Sequence, residues 1–165
     1  MGKRGIVLDN NSSVFLAKLG LINALADIFN LITTEDIKKE IEEGAKEGYR
    51  DAHIRISFIQ EGKIQLQEAK RINEIIKEYQ LGRADASILS LAQETGYILA
   101  TEDRQIRHIS KLLKIKNTNT AAPIYLLWKR KKLSKEQSIT LLDLLDKWNY
   151  NKETLLKVKQ VMQNE

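Results

Sequence analysis

The chain has 165 residues, of which 42% are hydrophobic, and its 27 Lys and Arg outnumber its 22 Asp and Glu for a formal net charge of +5. That is enough apolar material for one domain with a core, and the basic excess suits a polyanionic partner. Cysteine is absent, which excludes a disulfide framework, a thiolate metal site and a cysteine nucleophile; no apolar run is long enough for a signal peptide or a membrane span, so a cytoplasmic protein with no membrane partner is expected.

Ile6-Val7-Leu8 is a short apolar run that ends on Asp9 and predicts a buried strand. Helical spacing follows over 12–18 and 21–29, broken at Gly20. Leu31-Ile32-Thr33 predicts a second strand. Thr34 then suits an N-cap, Glu35 and Asp36 fill an electropositive first turn, and Ile37, Ile41 and Ala45 make one face of a helix ending near Gly48. Glu40 lies one turn into that helix. Ile54, Phe58 and Ile59 predict a helix over 51–60, Ile64-Gln65-Leu66 a third strand, and Ile72, Ile75, Ile76 and Tyr79 a helix over 71–79.

After Leu81-Gly82, the stripe Ile88, Leu91 and Ala92 predicts a helix over about 84–94 with Asp85 in its first turn. A second apolar run, Tyr97 to Thr101, also ends on carboxylates, Glu102-Asp103, and leads to a helix over 104–113 and a brief strand at 115–117. From residue 121 everything reads as helix: Ile124 to Lys131, then a helix to Trp148 opened by the capping box Ser134-x-x-Gln137, then a last helix after Asn151. Tyr125, Trp128 and Trp148 sit at core spacing in these segments. Five strand candidates alternating with helices predict an α/β layered fold around a mostly parallel sheet. No Ser-, Gly- or Pro-rich stretch divides the chain, so one domain over 1–165 is expected.

Parallel strands end at one edge, where open α/β sheets bind ligands. Asp9 and Asp103 should therefore meet there, and helices that follow parallel strands begin at the same edge, which adds Glu40 and Asp85. Four carboxylates in one pocket raise one another's pKa unless cations neutralise them. Hard oxygen donors without Cys or a nearby His favour Mg²⁺ or Mn²⁺ over Zn²⁺ or Cu²⁺, and such ions commonly serve phosphoryl chemistry in a nuclease or phosphatase.

Each acid also has a simpler explanation. Asp9 suits an N-cap after a strand, Asp85 complements a helix dipole, Glu40 could lie on the solvated face of the acidic 35–47 segment, and Glu102 reads as an exposed neighbour. Arg104, Arg107, Lys111 and Lys114 line one helix face, as an RNA phosphate track or as a solvated surface. His53 and His108 have no carboxylate at catalytic spacing. A haloacid-dehalogenase-type phosphatase needs Asp-x-Asp where this chain has Asp9-Asn10-Asn11, a receiver domain needs an acceptor Asp where Glu68 stands, and no Gly-rich Lys-Ser/Thr loop offers a nucleotide-cofactor site.

The run Ile6-Val7-Leu8-Asp9-Asn10-Asn11 leading into Phe15-Leu16-Ala17-Lys18-Leu19-Gly20 resembles the opening of PIN-domain proteins. Asp85-Ala86-x-Ile88-x-x-Leu91-Ala92, followed by Gly96 and Thr101-x-Asp103-Arg104, is similar to that family's second half in order and spacing. The likeness covers about residues 5–116, taken as the core, with a helical C-terminal extension over about 121–165. It implies a PIN-like three-layer fold and a Mg²⁺- or Mn²⁺-dependent endoribonuclease, from the family that includes the VapC-type toxins of toxin-antitoxin pairs. An RNA substrate, an antitoxin partner and a homodimer are implied with it, as are a 5′-phosphate and a 3′-hydroxyl as products.

By motif, Asp9 would be the central metal ligand, with Glu40, Asp85 and Asp103 as the other acids and Asn11 and Thr101 as polar supports. Glu42 and Glu43 lie close enough to Glu40 for a shift of one turn to exchange them. The tail, with Lys129-Arg130-Lys131-Lys132, resembles the helical extension of a small prokaryotic branch; that basic run also suits a helix end. One departure stands out: Asn10-Asn11-Ser12-Ser13 replaces the family's small and apolar residues. It keeps open a non-catalytic RNA-binding or protein-interaction module with a decayed metal site.

Overall fold

Five short strands form one sheet in the computed structural model, which describes residues 2–165. They are β1 (Arg4–Leu8), β2 (Phe29–Thr33), β3 (Ile64–Leu66), β4 (Ile98–Ala100) and β5 (Asn117–Thr118), in the order β3-β2-β1-β4-β5. Every neighbouring pair is parallel. The connections are helical: α1 (Asn10–Lys18), α2 (Ile22–Ile28), α3 (Glu35–Lys46), α4 (Arg50–Gln60), α5 (Ile72–Tyr79), α6 (Arg83–Thr95) and α7 (Arg104–Leu112). The result is the expected three-layer α/β fold, its sheet flanked by helices.

The three central strands, β1, β2 and β4, are mainly apolar on both faces because helices cover both, while the edge strands β3 and β5 are partly exposed. Ile6, Val7 and Leu8 are buried, as are Leu31, Ile32 and Leu99. α6 is buried along its whole middle, from Ala86 to Ala92, a pattern of a helix enclosed by its neighbours rather than one floating an apolar stripe on a surface. Its serines are satisfied locally: the Ser87 hydroxyl lies 2.7 Å from that of Thr34, and the Ser90 hydroxyl accepts from Arg71 N–H at 2.9 Å. Gly5 is required by close approach, since a Cβ there would fall 1.9 Å from the Tyr97 ring.

The compact unit that contains this sheet runs to Thr118, and a second unit spans Asn119–Glu165. The second unit comprises α8 (Ala121–Lys129), α9 (Lys135–Lys147) and α10 (Lys152–Gln163). The Ser134–Gln137 capping box forms with both of its bonds, and Tyr125 Oη and Lys129 Nζ of α8 donate to the carboxylate of Glu165, just beyond α10, at 2.9 and 2.6 Å.

Three sequence expectations shift. The last strand falls at 117–118 rather than 115–117, because Lys114 takes a left-handed conformation (φ 58°) and Ile115 N–H closes on Ser110 O at 2.8 Å, so the turn that closes α7 uses the chain up to Ile115. The buried face of α4 carries Ala52 and Arg55, leaving Ile54 43% exposed. Trp148, placed in the core by its spacing, is 38% exposed. Among the described residues no helix is long and apolar enough to cross a membrane.

Candidate functional site

The strand order reverses at β1, whose neighbours are β2 on one side and β4 on the other. A crevice opens at such a switch point, just beyond the carboxyl ends of the strands. Asp9 follows β1 directly, and its N–H donates to Ala100 O of β4 at 3.3 Å. Its Oδ1 accepts from Ser12 N–H at 2.7 Å and caps α1. Asp103 occupies the equivalent place after β4: its Oδ1 accepts from Ile106 N–H at 3.0 Å and caps α7. Each cap engages Oδ1, leaving the role of Oδ2 outside the helix geometry.

Thr101, fully buried, links the two turns. Its hydroxyl accepts from Asp103 N–H at 3.2 Å and lies near enough to the Asp9 carboxylate to favour its charged form. Arg107, one of the cations of the basic row, donates twice to Thr101 O at 3.1 and 2.8 Å and approaches Glu102 at 3.7 Å. It braces the turn that carries Asp103. Arg104 and Lys111 are exposed on α7, and Lys114 lies beyond that helix's end.

Glu40 is reached from α1: Asn10 Nδ2 donates to its Oε2 at 3.3 Å. Its neighbours face elsewhere, Glu42 pairing with Lys38 at 3.3 Å and Glu43 with Lys46 at 3.1 Å. Asn11, expected as a polar support, is exposed on the first turn of α1; the residue beside it makes the contact. Asp85 lies in the first turn of α6.

The acids feel one another. Burial pushes the Asp9 carboxyl up, against hydrogen bonds from Thr101 and Ser12, and the charge of Glu102 adds to the rise. Glu40 is raised by burial and then by the charge of Asp85, with Asp9 and Asp36 contributing less. Asp85 is raised by burial and by the charge of Asp103. These couplings run from Asp9 through Glu40 and Asp85 to Asp103. Among the described residues no three acidic or histidine side chains stand close enough to hold one ion among them. The donor set still fits a hard cation that keeps most of its water, since Mg²⁺ is usually bound through only one or two carboxylates.

Sequence reasoning passed over a second polar group beneath the acids. Arg55, 3% exposed, reaches from α4 to α1 and donates to Asn10 Oδ1 at 2.5 Å, Asn10 O at 3.2 Å and Ser13 Oγ at 2.9 Å, while its Nη2 pairs with Asp51 at 2.8 Å. Two signals were available: the unexpected polarity of Asn10 to Ser13, and an Asp51/Arg55 pair at i,i+4. Together they explain the departure, because the polar face of α1 meets a buried guanidinium that must be satisfied.

An all-parallel sheet with an aspartate after each of the two strands that meet at its switch point defines an α/β protein of the open-sheet class. The sequence model of the PIN domain matches residues 5–163, and the chain belongs to the PIN-domain family. No curated protein matches it. Solved structures with the same fold include VapBC2 from Rickettsia felis bound to a DNA fragment from their promoter, at 14% identity and a TM-score of 0.54, covering 70% of this chain and 98% of that one. PAE2754 from Pyrobaculum aerophilum is similar at 18% identity and a TM-score of 0.51, covering 73% and 94%. A domain of a functionally unknown protein from Methanocaldococcus jannaschii is similar at 20% identity and a TM-score of 0.50, covering 70% and 90%.

Proposed function

We propose that this protein is a Mg²⁺- or Mn²⁺-dependent endoribonuclease whose metal site is built on Asp9, Glu40, Asp85 and Asp103. The observation that carries the reading is that Asp9 and Asp103 follow β1 and β4 on either side of the switch point, with Glu40 and Asp85 near enough for charge between the acids to raise their carboxyls. Their mutual repulsion is relieved by a divalent cation. When bound, such an ion activates water and stabilises the leaving oxygen in phosphodiester hydrolysis. The chain's own contribution is to hold the acids. Asp9 and Asp103 are fixed by their caps, Thr101 ties the two turns together, and Asn10 supports Glu40 in the place first expected of Asn11.

Arg104, Lys111 and Lys114 offer exposed cations for an RNA backbone on the Asp103 side, with Arg107 committed to the turn. The likeness to VapBC2, a complex bound to promoter DNA, supports a toxin role with an antitoxin partner, and a homodimer accords with the resemblance that the sequence itself declares. A second reading, a non-catalytic RNA-binding or protein-interaction module, draws on the spacing of the acids, which as they stand do not close on one ion.

Asn caps helices about as well as Asp, so Asp9→Asn and Asp103→Asn remove charge while keeping the turns. With Mn²⁺ and a single-stranded RNA, each variant should cleave on the order of 10²-fold more slowly than wild type while melting within a few degrees of it. Unchanged cleavage in both would sink the nuclease reading, and a wild type that neither cleaves nor binds Mn²⁺ in calorimetry would establish the non-catalytic module.

A further inference from the structure

Arg55 is the least exposed charged residue of the chain (3%) and belongs to none of the four acids' segments. Its head is held through Nη1 and Nη2 alone, since Nε is buried without a hydrogen-bond partner. Nη1 meets Asn10 Oδ1, Asn10 O and Ser13 Oγ, and Ser13 Oγ in turn donates to Asn10 O at 2.7 Å. Asp51, itself mostly buried, anchors Nη2.

A guanidinium only donates, and an ionised carboxylate only accepts. An asparagine amide placed between the two is therefore forced into one orientation, with its oxygen toward Arg55 and its nitrogen toward Glu40. That is the arrangement present: Arg55 Nη1 donates to Asn10 Oδ1 at 2.5 Å, and Asn10 Nδ2 donates to Glu40 Oε2 at 3.3 Å. The backbone carbonyl of Asn10 is gripped as well, so the residue is fixed at both ends.

We infer that Arg55 is a positioning residue that acts through Asn10 to hold the Glu40 carboxylate at the acid cluster. This rests on the reading of Glu40 as a metal-site acid. Without the relay, Glu40 is a long side chain on the exposed rim of α3, facing the negative charges of Asp85 and Asp9 with no fixed donor. Asp51 completes the device by keeping the guanidinium oriented. The polar stretch of α1 thus carries a function, transmitting order from a buried cation on α4 to an acid on α3.

Two measurements on the full-length protein test this. In the metal-free state, the Asn10 side-chain amide resonances report both of its bonds; Glu40→Gln and Arg55→Met should each move them, and unmoved resonances would overturn the relay. In calorimetry with Mn²⁺, Arg55→Met and Asn10→Ala should each weaken binding about tenfold, the usual scale for supports behind a metal ligand. Either substitution in a Glu40→Gln background should change affinity by less than about twofold, because the link is already cut. Equal losses in both backgrounds would refute the inference.

Asn10→Ala guards against failure of Arg55→Met to fold, since it leaves the guanidinium its bonds to Asn10 O, Ser13 and Asp51. Arg55→Lys separates positioning from packing: it should recover thermal stability lost in Arg55→Met without recovering Mn²⁺ affinity, whereas joint recovery would mark a merely structural role. Should the wild type bind no Mn²⁺ and cleave no RNA, the nuclease reading fails by itself, and the Asn10 resonances still decide the relay.

Discussion

The Asp9 carboxylate closes the first turn of α1 through Ser12 N–H, and Asp103 closes that of α7 through Ile106 N–H, so at both positions a helix cap and a proposed site acid are the same side chain. The sequence could present these as rival explanations, but geometry makes them compatible, because a cap needs one oxygen and a carboxylate has two. It follows that Asp103→Ala should lose about 1 kcal/mol of stability that Asp103→Asn keeps, measurable by urea unfolding, while both lose the charge. Thr101→Val keeps the shape of a fully buried residue but removes the hydroxyl that accepts from Asp103 N–H and favours the charged form of Asp9. It should cost about 1 kcal/mol, since the Asp103 N–H loses a part-buried hydrogen bond; an unfolding midpoint equal to that of wild type would count against the Thr101 link.

At the scale of elements, α4 shows why periodicity misleads when a charged residue is buried. Reading Ile54, Phe58 and Ile59 as the inward stripe treats arginine as outward by default, yet Arg55 is inward and Ile54 is 43% exposed, because Asn10, Ser13 and Asp51 together accept from both Nη atoms of the guanidinium. Breaking such a buried pair from one side is expensive. Asp51→Ala should therefore destabilise the protein by roughly 3 kcal/mol in denaturant titration, whereas Ile54→Ala, on the exposed face, should fall within about 0.5 kcal/mol of wild type. The strands and α6 were far easier to read, since continuous apolar runs are buried whichever way they face.

For the molecule as a whole, burial and mutual charge raise the carboxyls of Asp9, Glu40 and Asp85 above their ordinary values of 3.8, 4.5 and 3.8. The native state then holds protons that the unfolded chain has released, so this contribution to stability is full below those ordinary values and is lost as pH rises through the raised ones. The melting temperature of the metal-free protein should fall more steeply as pH rises above the ordinary carboxyl values than that of Asp9→Asn or Asp85→Asn, and an identical slope in all three would show that these carboxyls are not raised. At neutral pH, Mg²⁺ in excess should raise the wild-type melting temperature by mass action.

The chain's apolar runs, caps and spacing by themselves determined the parallel α/β layers, the helical tail and the arrival of Asp9 and Asp103 at one edge, because strand direction and helix starts are local properties that topology converts into position. Only the tertiary structure decided that Glu40 is the acid Asn10 reaches while Glu42 and Glu43 pair with lysines, that Arg107 braces a turn, and that Asn11 is left exposed. Those choices depend on which side chains from α1, α3 and α4 satisfy one another's hydrogen bonds, and residues so far apart in sequence carry no mutual spacing from which that pairing could be read.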